Sequence, residues 1–288
     1  MSNAIVVTDL VKRYGENLVL NGIRFAVPIG TTFALLGVNG AGKTTTLEII
    51  EGLRQPTSGK LEVNGSLGVQ CQSTTLPSQI RGREAIKLFS LYRHTNADQA
   101  LIERIGAVET LEKPYWSMST GQKRRLHLVL AMLGNPDILI LDEPTAGLDV
   151  EGRAALHGEI KRLQRQGKTI LLASHDLAEV EDLTDHIAIL KDGTIAFSGS
   201  TGSLREKVGE ASSIGVKIKG RLEEVEKNNL GVLDEEKGYF YFECADLGNH
   251  LARLLEKISE KGLVIEDLIV SKPSLEKRFL EIASREVK

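Results

Sequence analysis

The feature that most constrains the fold of this chain is a glycine-rich segment between an apolar run and a helical pattern. Residues 37–45, GVNGAGKTT, match the pattern GxxxxGK[ST]. The preceding run 32–36 predicts a buried strand, and residues 43–53 predict a helix that ends before Pro56. Glycines let a backbone approach a phosphate closely, and the N–H groups of a helix N-terminus attract its negative charge. The segment therefore predicts a phosphate-binding loop between a strand and a helix.

Two side chains of this loop have a specific chemical role in the prediction. Lys43 can reach the β- and γ-phosphates of a nucleotide and assist catalysis, and the Thr44 hydroxyl can ligate Mg²⁺. A glycine-rich turn with a surface lysine is the structural alternative, but the flanking strand and helix argue against it. The other residues predicted to bind the phosphates are Gly37, Asn39, Gly40, Ala41, Gly42 and Thr45.

A second motif follows the apolar run 138–141, where Asp142 and Glu143 stand next to each other. Four apolar residues predict a buried strand, and ligands of α/β proteins bind beyond the carboxyl ends of such strands. Asp142 is predicted to bind Mg²⁺, mostly through water, and Glu143 to polarise a water in line with the γ-phosphate. An acidic turn alone would be unremarkable. Beside the phosphate-binding loop, the pair predicts nucleotide hydrolysis.

The composition excludes several classes of protein. The 288 residues include 36 Lys and Arg against 39 Asp and Glu, so a net charge of −3 does not favour nucleic acid as a partner. The two cysteines, Cys71 and Cys244, lie far apart, which argues against a disulfide scaffold or a structural zinc site. The apolar runs are much shorter than the roughly 18 residues that span a bilayer, and the N-terminus has no signal-peptide pattern. We expect a cytoplasmic chain that does not cross the membrane.

The order of strand and helix patterns predicts two domains. Alternating strands and helices up to about residue 204 predict an α/β domain with a mainly parallel sheet. Small and charged residues near 202–215 mark a boundary, and 205–288 predicts a small α+β domain of ferredoxin-like order, with a last helix from Ser274.

Two local features carry their own predictions. The dipeptide Asn64-Gly65 predicts a hairpin between strands at 61–63 and 66–70. Leu91 and Tyr92 lie in a helical region that extends from about 83 to 133, and we predict that they belong to its core rather than to a partner contact.

Further features stand in a fixed order around the two motifs. Residues 118–122, MSTGQ, precede the Asp142 strand, residues 146–149, AGLD, follow it, and His175 follows the next predicted strand. Gln72 and Tyr14 stand earlier in the chain. With these features, residues 4 to 204 resemble the nucleotide-binding subunit of an ABC transporter. They match its LSGGQ-like signature, D-loop, switch histidine, Q-loop glutamine and the aromatic residue that stacks on adenine.

The resemblance implies a P-loop NTPase core of the ABC-ATPase type, with an antiparallel β subdomain and a helical subdomain, and ATP and Mg²⁺ as cofactors. It implies that Tyr14 contacts adenine, that Gln72 joins Thr44 and Asp142 at the metal, and that His175 acts with Glu143. The signature and D-loop residues that it places at the nucleotide of a partner chain are Ser119, Gly121, Gln122 and Asp149. It further implies a head-to-tail pair with a second copy or a homologous ATPase subunit, and polytopic permease subunits that hold both at the inner face of the cell membrane.

Some alternatives stay open at this stage. Gln70 competes with Gln72 for the Q-loop position, since the two glutamines stand only two residues apart at the end of one predicted strand. Residues 271–280, SKPSLEKRFL, are similar to the tails of bacterial drug, antibiotic or sodium exporter ATPases, although a packing helix explains them as well. An exporter subunit is favoured over a soluble ATPase that acts on ribosomes or DNA, and over an ATP-gated regulator.

Overall fold

The computed structural model describes residues 2–71, 75–174, 176–206, 212–219, 234–236, 238–244 and 246–271. The chain divides into two compact units, Met1–Thr201 and Gly202–Lys288. In the first unit the strands are β1 (Asn3–Tyr14), β2 (Asn17–Pro28), β3 (Thr32–Leu36), β4 (Ser58–Val63), β5 (Leu67–Gln70), β6 (Ile138–Asp142), β7 (Thr169–Ala173), β8 (His186–Lys191) and β9 (Thr194–Ser200). Its helices are α1 (Lys43–Ile50), α2 (Gly82–Tyr92), α3 (Gln99–Arg104), α4 (Thr120–Met132), α5 (Val150–Arg165) and α6 (Leu177–Leu183), and α7 (Thr201–Glu206) begins at its last residue.

A six-stranded sheet of order β5-β6-β7-β3-β8-β9 forms the centre of the first unit and confirms the predicted α/β class. Its first five strands are parallel, and β9 pairs with β8 in the antiparallel direction. All residues of β3, β6 and β7 are buried, which explains their nearly continuous apolar sequences. Leu35 and Asp142 both pair with Ala173 from opposite sides. The glycine-rich loop after β3 and the acidic pair of β6 therefore meet at one edge of the sheet.

The predicted hairpin at Asn64-Gly65 is wrong. β4 pairs with β1 in a separate antiparallel sheet of order β2-β1-β4, whereas β5 pairs with β6 in the central sheet. The chain crosses between the sheets at this point, where the Ser66 N–H and hydroxyl both donate to the Asp137 carboxylate, at 2.9 and 2.7 Å. An Asn-Gly pair permits a tight change of direction, but it does not determine which sheet the next strand joins.

The prediction that Leu91 and Tyr92 are core residues is also wrong. α2 buries the face that carries Ala85 and Ile86, whereas Leu91 and Tyr92 are 65% and 81% exposed. Leu88 is exposed as well, and the three residues share one helix face because they stand at i, i+3 and i+4. We call Leu88, Leu91 and Tyr92 the α2 stripe.

The second unit contains an antiparallel sheet of order β11-β12-β10-β13, with one described helix on it. Its elements are β10 (Ser212–Lys219), β11 (Asp234–Glu236), β12 (Tyr239–Cys244), α8 (Leu247–Glu260) and β13 (Val264–Ser271). Val216, Phe242 and Leu254 are among the residues that form its core. The order in which these elements follow one another agrees with the predicted α+β unit. The predicted last helix, which begins at Ser274, lies outside the described residues.

Candidate nucleotide-binding site

The loop between β3 and α1 has the backbone geometry that phosphate binding requires. Gly42, which precedes α1, has a φ of 109°, a conformation that other residues rarely adopt. A Cβ at Gly37 would lie 2.5 Å from the carbonyl oxygen of Leu190, so only glycine fits there. No side chain of the described residues caps the N-terminus of α1. Its N–H groups are therefore available to an anion, which the helix dipole also attracts.

Lys43, the first residue of α1, is buried against the loop that precedes it. Its Nζ donates to the carbonyl oxygens of Gly37 and Val38, at 2.7 and 3.4 Å, and the residue is 7% exposed. Burial lowers the pKa of Lys43, and the negative charges of Glu143 and Asp142 act in the opposite direction. The ammonium group thus lies beside both acidic residues at the strand edge, as the two motifs predict.

The acidic pair at the end of β6 is buried as well. Asp142 is 3% exposed and Glu143 is 7% exposed. Burial raises the pKa of Asp142, the nearby charge of Glu143 raises it further, and a hydrogen bond from the Thr44 side chain lowers it. Glu143 has a φ of 50°, a strained conformation for a residue with a side chain, and its N–H donates to the Ala173 carbonyl at 2.9 Å.

These groups line one cavity of about 370 Å³. The lining residues are Val19, Asn39, Gly40, Gly42, Lys43, Thr44, Thr45, Asp142 and Glu143. Gly37 and Ala41 are also predicted to bind phosphate but do not line the cavity. Ala41 is buried, and the Gly37 carbonyl accepts a hydrogen bond from Lys43. Sequence reasoning missed Val19, because an apolar residue in a predicted strand carries no signal of ligand contact. The cavity combines a phosphate-binding loop, a lysine and two carboxylates, which are the functional groups that nucleotide hydrolysis requires.

Tyr14 does not line this cavity. It ends β1, it is 40% exposed, and two cations approach its ring. The Nζ of Lys12 lies 4.9 Å from the ring centroid, and the Cζ of Arg54 lies 5.6 Å from it. Contact between Tyr14 and adenine remains a prediction.

The signature residues lie at the N-terminus of α4 and are not among the residues that line the cavity. Ser119 and Gln122 cap this helix reciprocally: the Gln122 N–H donates to Ser119 Oγ at 3.2 Å, and the Ser119 N–H donates to Gln122 Oε1 at 3.1 Å. Ser119 and Thr120 are exposed. A Cβ at Gly121 would lie 3.3 Å from the carbonyl oxygen of Gly147, so the signature and the D-loop of one chain are neighbours.

Asp149 is the N-cap of α5 and does not reach the cavity either. Its Oδ1 accepts from the Gly152 N–H at 2.8 Å and from Arg125 at 2.7 Å. The Arg125 side chain is only 15% exposed. Arg125 therefore connects α4, the helix that begins at the signature, to the start of α5.

Comparison with known proteins identifies the family. The sequence profile described as ABC transporter matches residues 20–146. A daunorubicin resistance ATP-binding protein of Streptomyces coeruleorubidus is 30% identical to this chain, over 97% of this chain and 95% of that protein. The chain belongs to the ABC transporter family. A linearmycin resistance ATP-binding protein of Bacillus subtilis (strain 168) is 28% identical, over 96% of this chain and 97% of that protein.

A solved structure of an ATP-binding subunit of an ABC transporter has a TM-score of 0.67 and 28% identity, and covers 72% of this chain and 93% of its own. A dimeric ATP-binding cassette bound to ADP and Pi has a TM-score of 0.63 at 21% identity, covers 68% of this chain and 98% of its own, and shares the fold. This ABC chain is an ATP-binding subunit and an ATPase.

Two predicted site residues of this ABC subunit, Gln72 and His175, lie outside the described residues. Gln70 ends β5, is 1% exposed, and its amide has no hydrogen-bond partner among the described residues. The choice of Gln72 over Gln70 as the Q-loop residue remains a prediction.

Sequence reasoning missed a buried carboxylate next to the site. Glu179 of α6 has a side chain that is 3% exposed, and its Oε2 accepts from the Thr145 hydroxyl at 2.9 Å and the Ser174 hydroxyl at 3.1 Å. The available signal was an acidic residue beside two apolar positions of a short helix, Val180 and Leu183, which are buried.

Proposed function

We propose that this subunit hydrolyses ATP at two composite sites in a head-to-tail dimer and thereby powers export through separate membrane subunits. One observation carries the dimer. The cavity holds the phosphate-binding loop and both carboxylates, yet none of the predicted signature residues lines it. Ser119 and Thr120 are instead exposed at a helix N-terminus, where they can face the nucleotide of a partner chain. An isologous pair then completes both sites at once.

Within one site, each residue has a distinct task. The loop N–H groups and Lys43 hold the phosphates, and Lys43 exchanges its bonds to the loop carbonyls for bonds to the nucleotide. Glu143 orients the attacking water and accepts its proton in line with the γ-phosphate. We assign His175 to the γ-phosphate, and Tyr14 to the adenine ring. The serine and glycine of the partner's signature stabilise the charge that develops on the transferred phosphate.

The residues near Lys43 fit Mg²⁺. The hydrogen bond from Thr44 to Asp142 shows that these two side chains are neighbours, and both offer oxygen ligands. The described residues contain no group of three or more His, Cys, Asp or Glu that could hold a metal. Mg²⁺ suits such a sparse site because it keeps several waters and binds phosphate oxygens. Thr44, Asp142 and Gln72 would hold the ion, which neutralises charge on the β- and γ-phosphates when bound.

The names of the relatives support export, and the exposed α2 stripe supports docking of a membrane partner. Relatives across most of the chain are named as daunorubicin and linearmycin resistance ATP-binding proteins, and a Nod factor export ATP-binding protein of Burkholderia orbicola (strain AU 1054) is 36% identical over 69% of this chain and 71% of that protein. No helix of the described residues is both long and apolar enough to cross a bilayer. We propose that a polytopic permease docks on the α2 stripe and holds the subunit at the inner face of the cell membrane.

Glu143→Gln tests the catalytic assignment. The variant should bind ATP like the wild type, lose most hydrolysis, and accumulate a dimer with MgATP that size-exclusion chromatography detects. Glu159→Gln is a matched control, because Glu159 is another buried carboxylate of this unit and pairs with Arg104 and Arg162 away from the cavity. Near wild-type turnover by Glu143→Gln would remove Glu143 from the mechanism.

Purification from mild-detergent extracts tests the membrane partner. The wild-type chain should retain a polytopic membrane protein, and Leu91→Glu with Tyr92→Glu should lose it, because two charges would be buried in the contact. Val264→Glu, at an exposed apolar residue of the second unit, is the control. Retention of ribosomes instead of a membrane protein would favour the soluble alternative.

A further inference from the structure

We propose that Glu179 is a positioning residue that holds the catalytic Glu143 in place through Thr145. The proposal rests on the function proposed above for Glu143. It concerns a buried side chain outside the sequence motifs, in the first turn of α6.

One carboxylate oxygen of Glu179 connects the two loops that follow β6 and β7. Its Oε2 accepts from the Thr145 hydroxyl at 2.9 Å and from the Ser174 hydroxyl at 3.1 Å. Thr145 stands two residues after Glu143, and Ser174 stands directly before His175 in the sequence. One acceptor therefore contacts both the loop that follows the water-activating Glu143 and the segment that leads to the predicted switch histidine.

The carboxylate occupies an unfavourable environment for a charge. Glu179 is 5% exposed, and His157 Nε2 lies 3.5 Å from its Oε1. Burial raises the pKa of Glu179, and the two hydroxyl donors lower it. A buried acid is costly unless hydrogen bonds compensate it, and the contacts with Thr145 and Ser174 offset part of this cost.

The backbone conformation of Glu143 explains why a contact that holds this loop in place matters. Its φ of 50° is strained, and such conformations persist only where the surrounding structure holds them. On one side, the Glu143 N–H donates to the Ala173 carbonyl at 2.9 Å. On the other side, the Glu143 carbonyl accepts from the Ala146 N–H at 3.2 Å, and Thr145, which lies within this turn, donates to Glu179. Without that bond, residues 143–145 can relax toward an ordinary conformation, and a shift of about 1 Å at a catalytic group can cost roughly 100-fold in rate.

The test compares Thr145→Val, Thr145→Ser and Glu179→Gln in the full chain, with kcat and KM for ATP measured separately. Thr145→Val removes only the hydroxyl, and kcat should fall ten-fold or more, while KM for ATP should stay within about two-fold because the phosphate-binding loop is untouched. Thr145→Ser restores the hydroxyl and should keep kcat within about three-fold of the wild type. Glu179→Gln keeps one oxygen that can accept from both hydroxyls, so it should lower kcat less than Thr145→Val does.

Glu159→Gln again controls for loss of a buried carboxylate: it should lower the melting temperature and leave kcat within about two-fold. The proposal is overturned if Thr145→Val keeps wild-type kcat, or if Thr145→Ser loses as much as Thr145→Val. The Thr145 pair of variants decides the matter even if Glu179→Gln does not fold. Full turnover by Glu143→Gln would instead refute the proposed function, so the two failures are distinguishable.

Discussion

His127 lies on α4, the helix that begins at the signature, and it is expected to make the stability of this subunit sensitive to acid. Its Nε2 lies 2.9 Å from the Tyr115 hydroxyl, and the two rings meet edge to face at 5.7 Å. Burial lowers the pKa of His127 to about 4, and the charges of Arg124 and Lys123 contribute to the shift. The signature helix therefore packs with a neutral imidazole against the turn that precedes it.

The direction in which stability changes with pH follows from the pKa of His127 in the unfolded chain and in the folded chain. An unfolded chain protonates this histidine near its ordinary pKa of about 6.5, whereas the folded chain resists protonation down to about 4. The part of the free energy of unfolding that depends on His127 is fully present above pH 6.5 and is lost as the pH falls toward 4, because the unfolded state binds the extra proton. The full shift would cost about 2 kcal/mol at pH 5. Partial contact of the ring with solvent reduces the expected loss to about 1–2 kcal/mol.

Urea unfolding at pH 7.5 and pH 5.0 measures this loss for the wild type and for His127→Gln, which keeps a polar group near the Tyr115 hydroxyl. All other groups titrate in both proteins, so the wild type should lose about 1–2 kcal/mol more than the variant between the two pH values. His94→Asn, a change at an exposed histidine, is the control and should keep the wild-type loss. An equal loss in the wild type and in His127→Gln would refute the buried, neutral imidazole.

Two further predictions concern the nucleotide. Tyr14→Ala should weaken ATP binding about ten-fold or more, because stacking on a base is worth about 1–3 kcal/mol, and Tyr14→Phe should be mild; equal affinities in a binding titration would exclude the stack. Gly121→Asp should leave ATP binding by the isolated chain intact and abolish ATP-driven dimerisation in size-exclusion chromatography. If it weakens binding as much as Lys43→Ala does, the signature does not act on a partner's nucleotide.

The central sheet and the phosphate end of the site could be predicted from the sequence. β3 has the predicted bounds and β6 extends the predicted run 138–141 by one residue, because short, continuous apolar runs between turn signals are typical of buried parallel strands. The glycine-rich motif determines its own backbone geometry, so Lys43, Thr44 and the acidic pair at 142–143 are brought together as predicted.

Features that depend on tertiary context could not be predicted in the same way. The Asn64-Gly65 pair signals a turn, but the partner of the following strand is chosen by β6. Leu91 looks like a core residue because an exposed apolar stripe has the same spacing as one that faces the core. Glu179 belongs to no motif, and its role depends on two hydroxyl groups that the fold brings to it. Its buried position emerges only after folding.

Mixing two inactive variants tests the shared site most directly. Lys43→Ala has a defective phosphate-binding loop and an intact signature, whereas Gly121→Asp has the opposite defects. Each variant alone should lack turnover. In an equal mixture, half of the dimers would contain one intact composite site, so ATPase activity should recover to at most about a quarter of the wild-type rate. A mixture as inactive as its components, with heterodimers shown to form, would contradict a site built from two chains.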